Sequence, residues 1–203
     1  MTRRIAVLIS GRGSNLQSIV DAIGAGTLAA TVAVVISNKK DAAGLDRARQ
    51  AGIDAVFLNP RDYSARGEYD AAIVELLRQR AVDLVCLAGF MRLIGRPLLE
   101  AFPGRILNVH PSLLPSFPGL DAQQQAVTHG VRVSGATVHF VTEELDGGPI
   151  VLQAAVPVME DDTAETLAAR ILAEEHRLYP EAIGAVLDGN WRLDGRRVTR
   201  RHS

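Results

Sequence analysis

Ile5-Ala6-Val7-Leu8-Ile9-Ser10-Gly11-Arg12-Gly13-Ser14-Asn15 is an unbroken apolar run delivered into a glycine turn. Five apolar residues without polar alternation fit a strand buried on both faces, the kind that builds parallel sheets. Leu16, Ile19, Val20 and Ile23 follow at helical spacing, with Gly24 and Gly26 to stop them. The order is therefore strand, glycine turn, helix. Glycines let the backbone approach a ligand closely, and a helix N-terminus offers N–H groups and a partial positive charge to an anion. A dinucleotide fingerprint is not completed: Leu16 stands where the third glycine would fall, and the next apolar run, Val32 to Ile36, leads into Ser37-Asn38-Lys39-Lys40 instead of an acidic residue for a ribose diol. The Gly-Lys-Ser/Thr ending of a Walker loop is also missing. A single phosphate on Gly13, Ser14 and Asn15 is expected, with a turn that merely caps the helix as the alternative.

Outward from this unit the alternation continues. Asp41 to Ala51 is helical in pattern, Ala55 to Leu58 a strand, Asn59-Pro60 a turn, Glu68 to Arg80 an amphipathic helix with Ile73, Leu76 and Leu77 inward, and Asp83 to Ala88 a strand. This predicts an α/β fold: an open, mostly parallel twisted sheet with helices on both faces, Rossmann-like. Ligands in such sheets lie beyond the carboxyl ends of the strands. The loops Gly11 to Asn15, Gly89 to Ile94 and the one beginning at His110 are therefore expected to come together. Leu98 to Phe102 reads as a helical turn and Ala122 to Thr128 as a helix. The texture then changes: Val131 to Val141, which alternates apolar and polar residues, and Ile150 to Val158 are predicted as antiparallel strands added at the C-terminal side. Asp161-Asp162-Thr163 opens a long helix carrying Leu167, Ile171, Leu178 and Ala182 on one stripe. Trp191 to Val198 reads as a hairpin with an Asp-Gly turn, and the five arginines from Arg192 to Arg201 as a solvated tail.

No composition shift divides the 203 residues, so one domain is expected, with a phosphate-binding half over 1–109, loops, strands and long helix over 110–189, and a hairpin and tail over 190–203. A net charge of −1 supplies no field for nucleic acid or an anionic membrane. The one cysteine, Cys86, sits in an apolar run and can form neither an internal disulfide nor a thiolate metal site, which fits a cytoplasmic protein. No signal sequence and no membrane span is read. Glu174, Glu175 and His176 are adjacent, so on a helix they point apart, and no metal is expected there.

Chemistry concentrates in Asn108-Val-His-Pro-Ser-Leu-Leu-Pro-Ser-Phe-Pro-Gly119. Arg105 to His110 reads as a strand, whose alternation puts Asn108 and His110 on one face. Pro111, Pro115 and Pro118 then stiffen the loop. A lone histidine at a strand end is commonly structural, but an amide beside an imidazole suits a reaction that builds an oxyanion and moves a proton. A carboxylate to orient the ring is missing locally, and Asp146, in Thr142-Glu-Glu-Leu-Asp-Gly-Gly148, taken alone reads as a surface turn.

Three motifs agree on one family. Ser10-Gly-Arg-Gly-Ser-Asn-Leu16, Asn108-Val-His-Pro-Ser-Leu-Leu-Pro115 and Gly135-Ala-Thr-Val-His-Phe-Val-Thr-Glu-Glu-Leu-Asp-Gly-Gly-Pro149 together resemble the phosphoribosylglycinamide formyltransferases of purine biosynthesis, in their single-domain bacterial form. The resemblance covers nearly the whole chain. It is narrowed by Gly13-Ser14-Asn15, Gly89-Phe-Met-Arg92 and Glu175-His-x-x-Tyr-Pro180. It implies transfer of the formyl group of 10-formyltetrahydrofolate, a co-substrate, to the amine of 5-phosphoribosylglycinamide, without a metal. It also implies that Gly13, Ser14 and Asn15 hold the phosphate and that Leu172, Ala173, Glu174 and Glu175 line the rest of the glycinamide site. Arg66, Met91, Arg92, Leu93, Ile94, Asn108, Thr142, Glu143, Glu144, Leu145 and Asp146 would form the folate side. Asn108 would be the oxyanion donor, His110 the proton shuttle, and Asp146 the group that pairs with His110 and orients it. The implied partners are these small molecules, with no nucleic acid or membrane, on a monomer or homodimer. Asp121-Ala-Gln-Gln124 departs from relatives that carry histidines there. A formyl-folate deformylase and a non-catalytic nucleotide-binding module are the competing readings. Methionyl-tRNA formyltransferase is a further relative, but it carries an additional C-terminal domain that does not fit after Val186.

Overall fold

A computed structural model describes residues 2–200, and the chain falls into two compact units that divide between Leu107 and Asn108. The fold is α/β. In the first unit strands and α-helices alternate: β1 (Arg3–Ile9), α1 (Ser14–Gly24), β2 (Ala30–Ser37), α2 (Ala43–Gln50), β3 (Ala55–Phe57), α3 (Arg66–Gln79), β4 (Leu84–Leu87) and α4 (Arg96–Ala101). The strands lie in the order β3-β2-β1-β4, and every pairing among them is parallel. β1 sits inside this order, and Ile5 to Ile9 are fully buried, as the apolar run requires. On α3 the buried stripe is Tyr69, Asp70, Ile73, Val74 and Leu77, while Leu76, expected inward, is half-exposed. A carboxylate thus occupies a place where the amphipathic pattern calls for an apolar side chain.

β5 (Ile106–His110) leads into the second unit, which continues with α5 (Ala122–His129), β6 (Val133–Phe140), β7 (Ile150–Pro157), α6 (Ala164–Leu187), β8 (Trp191–Asp194) and β9 (Arg197–Arg200). β6 and β7 pair antiparallel, as do β8 and β9, and α6 packs on β6 and β7. The alternation of β6 predicts a wet face, yet all its residues after Val133 are buried. Its polar side chains are used internally: Thr137 Oγ1 donates to the Ser112 carbonyl at 2.6 Å and accepts from Leu114 N at 3.0 Å. Those bonds anchor the loop that follows His110. The hairpin is more than a loose tail, since Arg197 of β9 pairs with Ile150 of β7 and the Trp191 ring packs on Phe140 at 4.8 Å. Arg192, Arg196 and Arg197 are exposed, and Arg201 lies outside the described residues.

α6 begins with a reciprocal cap. Thr166 N donates to Thr163 Oγ1 at 3.3 Å, and Thr163 N donates to Thr166 Oγ1 at 2.9 Å. Beside it Arg170 donates to Asp162 at 2.7 and 3.0 Å, and Met159 N donates to the same carboxylate at 2.7 Å. These bonds, led by the Arg170 contact, hold the Asp162 carboxyl well below the usual carboxylate range. A carboxylate with a depressed folded pKa contributes stability above its unfolded pKa, about 4, and loses it as pH falls further. Arg170→Ala is therefore expected to lower Tm at neutral pH, with the deficit shrinking in melts run progressively below about pH 4. A deficit independent of pH would show that the pair is not its source.

Candidate active site

The turn between β1 and α1 is shaped by close packing. Gly13 is the N-cap of α1 and lies in the left-handed region at φ 72°. A Cβ built on it would stand 2.7 Å from the Gly44 Cα, and one on Gly44 would stand 2.4 Å from Ile9 Cδ1. Gly44 N also donates to the Gly11 carbonyl at 3.0 Å. Two glycines from separate segments thus touch backbone to backbone, and sequence reasoning noticed only the first. With glycine at the cap, no side chain covers the helix N-terminus. Arg47 Nε donates to the Arg12 carbonyl at 2.9 Å, which brings a cation to the turn. Ser14 is half-buried and Asn15 buried.

From Gly89 to Gly95 the first unit carries an irregular loop. Met91 N donates to Ser10 Oγ at 2.8 Å, Arg66 Nη2 donates to the Ile94 carbonyl at 3.2 Å, and the Arg92 guanidinium lies over the Tyr69 ring at 4.8 Å. Burial, partly offset by Arg92, pushes the Tyr69 phenol up to about 12. Met91 and Leu93 point outward, 65% and 58% exposed.

In the second unit Asn108 and His110 stand at alternate positions of β5, and Asp146, from the loop after β6, faces the His110 ring. His110 Nδ1 lies 3.4 Å from Asp146 Oδ2, and its Nε2 lies 2.8 Å from the Phe117 carbonyl. Both ring nitrogens therefore face oxygen, and since a carbonyl can only accept, Nε2 carries a proton. Asp146 sits at φ 50°, a left-handed conformation uncommon for a residue with a side chain, and its Oδ2 accepts from Gly119 N at 2.8 Å. The carboxylate is thus tied to the loop that follows His110.

A fourth group was missed. His139, 2% exposed, lies with Nε2 3.1 Å from Asn108 Nδ2 and 3.7 Å from Asp146 Oδ1, while its Nδ1 is 3.0 Å from the Phe140 carbonyl. The Phe140 carbonyl requires the proton on Nδ1, which leaves Nε2 as an acceptor and so fixes the Asn108 amide with its nitrogen toward the ring. Desolvation holds the His139 pKa below the usual histidine range, so the ring is neutral. Its signal was present in the strand alternation, two residues from Thr137, but nothing local separates a buried structural histidine from one that aims a catalytic amide.

The other sequence-predicted residues are placed as follows. Thr142 Oγ1 approaches the Glu144 carbonyl at 3.4 Å, Glu144 pairs with Arg196 of the hairpin at 3.4 Å, and Glu143 and Leu145 are exposed on the same loop. Leu172, Ala173, Glu174 and Glu175 lie on α6, where Glu175 is buried and Glu174 accepts from Arg177 at 2.8 Å. Asp121, where the chain departs from the family pattern, is the left-handed N-cap of α5 at φ 56°. Among the described residues no group of three or more His, Cys, Asp or Glu is placed to hold a metal ion, and no helix is long and apolar enough to cross a membrane.

Residues 3–183 match the model of a family described as Formyl transferase. The match spans both units. The chain is 46% identical over 201 residues to the phosphoribosylglycinamide formyltransferase of Escherichia coli, covering 96% of this chain and 95% of that protein. It is 48% identical over 190 residues to the trifunctional purine biosynthetic protein adenosine-3 of Bos taurus, covering 94% of this chain but only 19% of that much longer protein. The crystal structure of glycinamide ribonucleotide transformylase 1 from Symbiobacterium toebii superposes with a TM-score of 0.97 at 59% identity, covering 99% of this chain and 95% of that one.

Proposed function

Since the chain belongs to the formyl transferase family, we propose that it transfers the formyl group of 10-formyltetrahydrofolate to the amine of 5-phosphoribosylglycinamide, a step of purine biosynthesis. The relatives named for this activity and the chemistry of the Asn108, His110 and Asp146 cluster support the same reading. The observation that carries it is the fixed direction of the Asn108 amide. With one Nδ2 hydrogen spent on the neutral His139, the second remains for a developing oxyanion.

Attack of the substrate amine on the formyl carbon forms a C–N bond and a tetrahedral intermediate with a negative oxygen and a positive nitrogen. Asn108 Nδ2 donates to that oxygen. Asp146 faces Nδ1 of His110, which leaves Nε2–H, resting on the Phe117 carbonyl, as the proton that the ring can give up when a substrate atom replaces that carbonyl as its acceptor. Collapse breaks the bond between the formyl carbon and the folate nitrogen, which leaves with a proton. The amine loses one in exchange, so charge balances without a covalent enzyme intermediate. Gly13, Ser14 and Asn15 are the residues for the phosphate, Leu172 to Glu175 for the rest of the glycinamide, and Arg66, Met91 to Ile94 and Thr142 to Asp146 for the folate.

The test is absorbance-monitored turnover of 10-formyltetrahydrofolate by the purified protein with and without phosphoribosylglycinamide. Loss of the formyl group only when the glycinamide is present is the expected result. Equal loss without it would make the protein a hydrolase, and no loss in either case would leave a non-catalytic binding module.

A further inference from the structure

Asp70 has no place in the reaction just described, and yet it is a carboxylate 1% exposed on the apolar stripe of α3, next to Tyr69 and one turn before Ile73. Burial pushes its carboxyl up, the ordinary penalty for a desolvated charge. A residue kept at that cost must hold something. Its Oδ2 accepts from Gly95 N at 2.7 Å, in a bond closed to water. A Cβ on Gly95 would fall 2.5 Å from Asp70 Oδ2 and 3.3 Å from Arg66 Nε, so glycine is what allows carboxylate and guanidinium to close on the main chain together. Arg66 then donates from Nη2 to the Ile94 carbonyl at 3.2 Å.

The other end of the same loop is held as firmly. Ser10 N donates to the Gly89 carbonyl at 3.1 Å, and Ser10 Oγ accepts from Met91 N at 2.8 Å while donating to Asn38 Oδ1 at 2.5 Å. Between these ties the segment has no helix or strand of its own. Its middle keeps Met91 and Leu93 out in water, an arrangement that would relax toward burial if the main chain were free. The apolar surface is thus preformed by a polar frame beneath it.

We propose that Asp70, acting with Arg66 through Gly95 and Ile94, is a positioning residue that pre-organises the Gly89–Gly95 loop for the formyl-folate and thereby sets the affinity for that substrate alone. The proposal rests on the reading that this loop receives folate. It also gives Arg66 a task in the frame of the loop, besides the folate contact that the family resemblance implies.

A binding surface that is ordered beforehand spares the ligand the cost of ordering it. Loss of a charge-assisted hydrogen bond is worth roughly a factor of ten. Steady-state kinetics of Asp70→Ala are expected to show a rise of about tenfold in the KM for formyl-folate, with kcat and the KM for the glycinamide within about twofold of the unsubstituted enzyme. Asp70→Asn keeps an oxygen for Gly95 N and loses only the charge, so it should recover part of the affinity. Gly95→Ala, which drives a methyl against the Asp70 carboxylate from the loop side, should reproduce the Asp70→Ala pattern without any substitution on α3. Thermal melts establish that each variant is folded. If Asp70→Ala does not fold, Asp70→Asn and Gly95→Ala decide the matter by the same split. An unchanged folate KM in folded variants, or an equal rise in both KM values, would overturn the proposal. Absence of transfer by the unsubstituted enzyme would instead overturn the functional reading beneath it.

Discussion

His110→Gln is expected to lower kcat roughly 10²- to 10⁴-fold when both substrates are saturating, with little change in either KM. The glutamine amide can still donate to the Phe117 carbonyl, 2.8 Å from Nε2 in the native ring, so the loop from Pro111 to Gly119 keeps its tie. What it cannot do is take up and release a proton. Asp146→Asn should show a loss of the same order, because an amide facing Nδ1 no longer offers the negative charge that stands 3.4 Å from the ring while it transfers a proton. Its oxygen can still accept from Gly119 N, which separates chemistry from loop anchoring. The two substitutions together should cost little more than the worse of them, since residues that act as a unit are not additive. Single turnovers within about fivefold of the unsubstituted enzyme would remove His110 from the mechanism.

Gly13→Ala addresses the other substrate and carries the second large effect. At φ 72° an alanine is strained by about 1–2 kcal/mol, and its methyl would stand 2.7 Å from the Gly44 Cα, a backbone atom that cannot rotate away. The turn must open, and the N–H groups of the first turn of α1 lose their common focus. If they hold the substrate phosphate, losing one or two charge-assisted bonds raises the glycinamide KM by roughly 10- to 100-fold while the folate KM stays in place. Calorimetric titration with the glycinamide alone measures this without turnover. Gly44→Ala is the control from the opposite side of the contact: its methyl would meet Ile9 Cδ1 at 2.4 Å and Gly13 Cα at 3.1 Å. A normal glycinamide affinity in both variants would return the turn to a purely structural role.

The parallel half of the fold could be read because its strands are continuous apolar runs and its helices are punctuated by glycine, signals that depend on neighbours within a dozen residues. Asn108 and His110 could be paired for the same reason: alternation along one strand puts them on one face whatever surrounds it. β6 misled because its polar residues, Thr137 and His139 among them, satisfy each other's loops inside the protein, and hydrogen bonding to distant main chain is invisible to a pattern of polarity. Asp70 was hidden in the same way, as a charge on an apolar stripe whose partner lies 25 residues ahead. The approach of the Asp146 carboxylate to His110 joins residues 36 positions apart and depends on a left-handed residue that no propensity demands.

By itself the sequence determined the α/β class, the strand-turn-helix that opens it, the residue types of the chemistry and the family they resemble, because each of these follows from local periodicity or from short motifs. Only the tertiary structure decided which ring turns the Asn108 amide, which glycine touches Gly13 and which buried acid frames the Gly89–Gly95 loop. Those are choices among chemically equivalent side chains, and they are made by distances across the fold that no stretch of sequence contains.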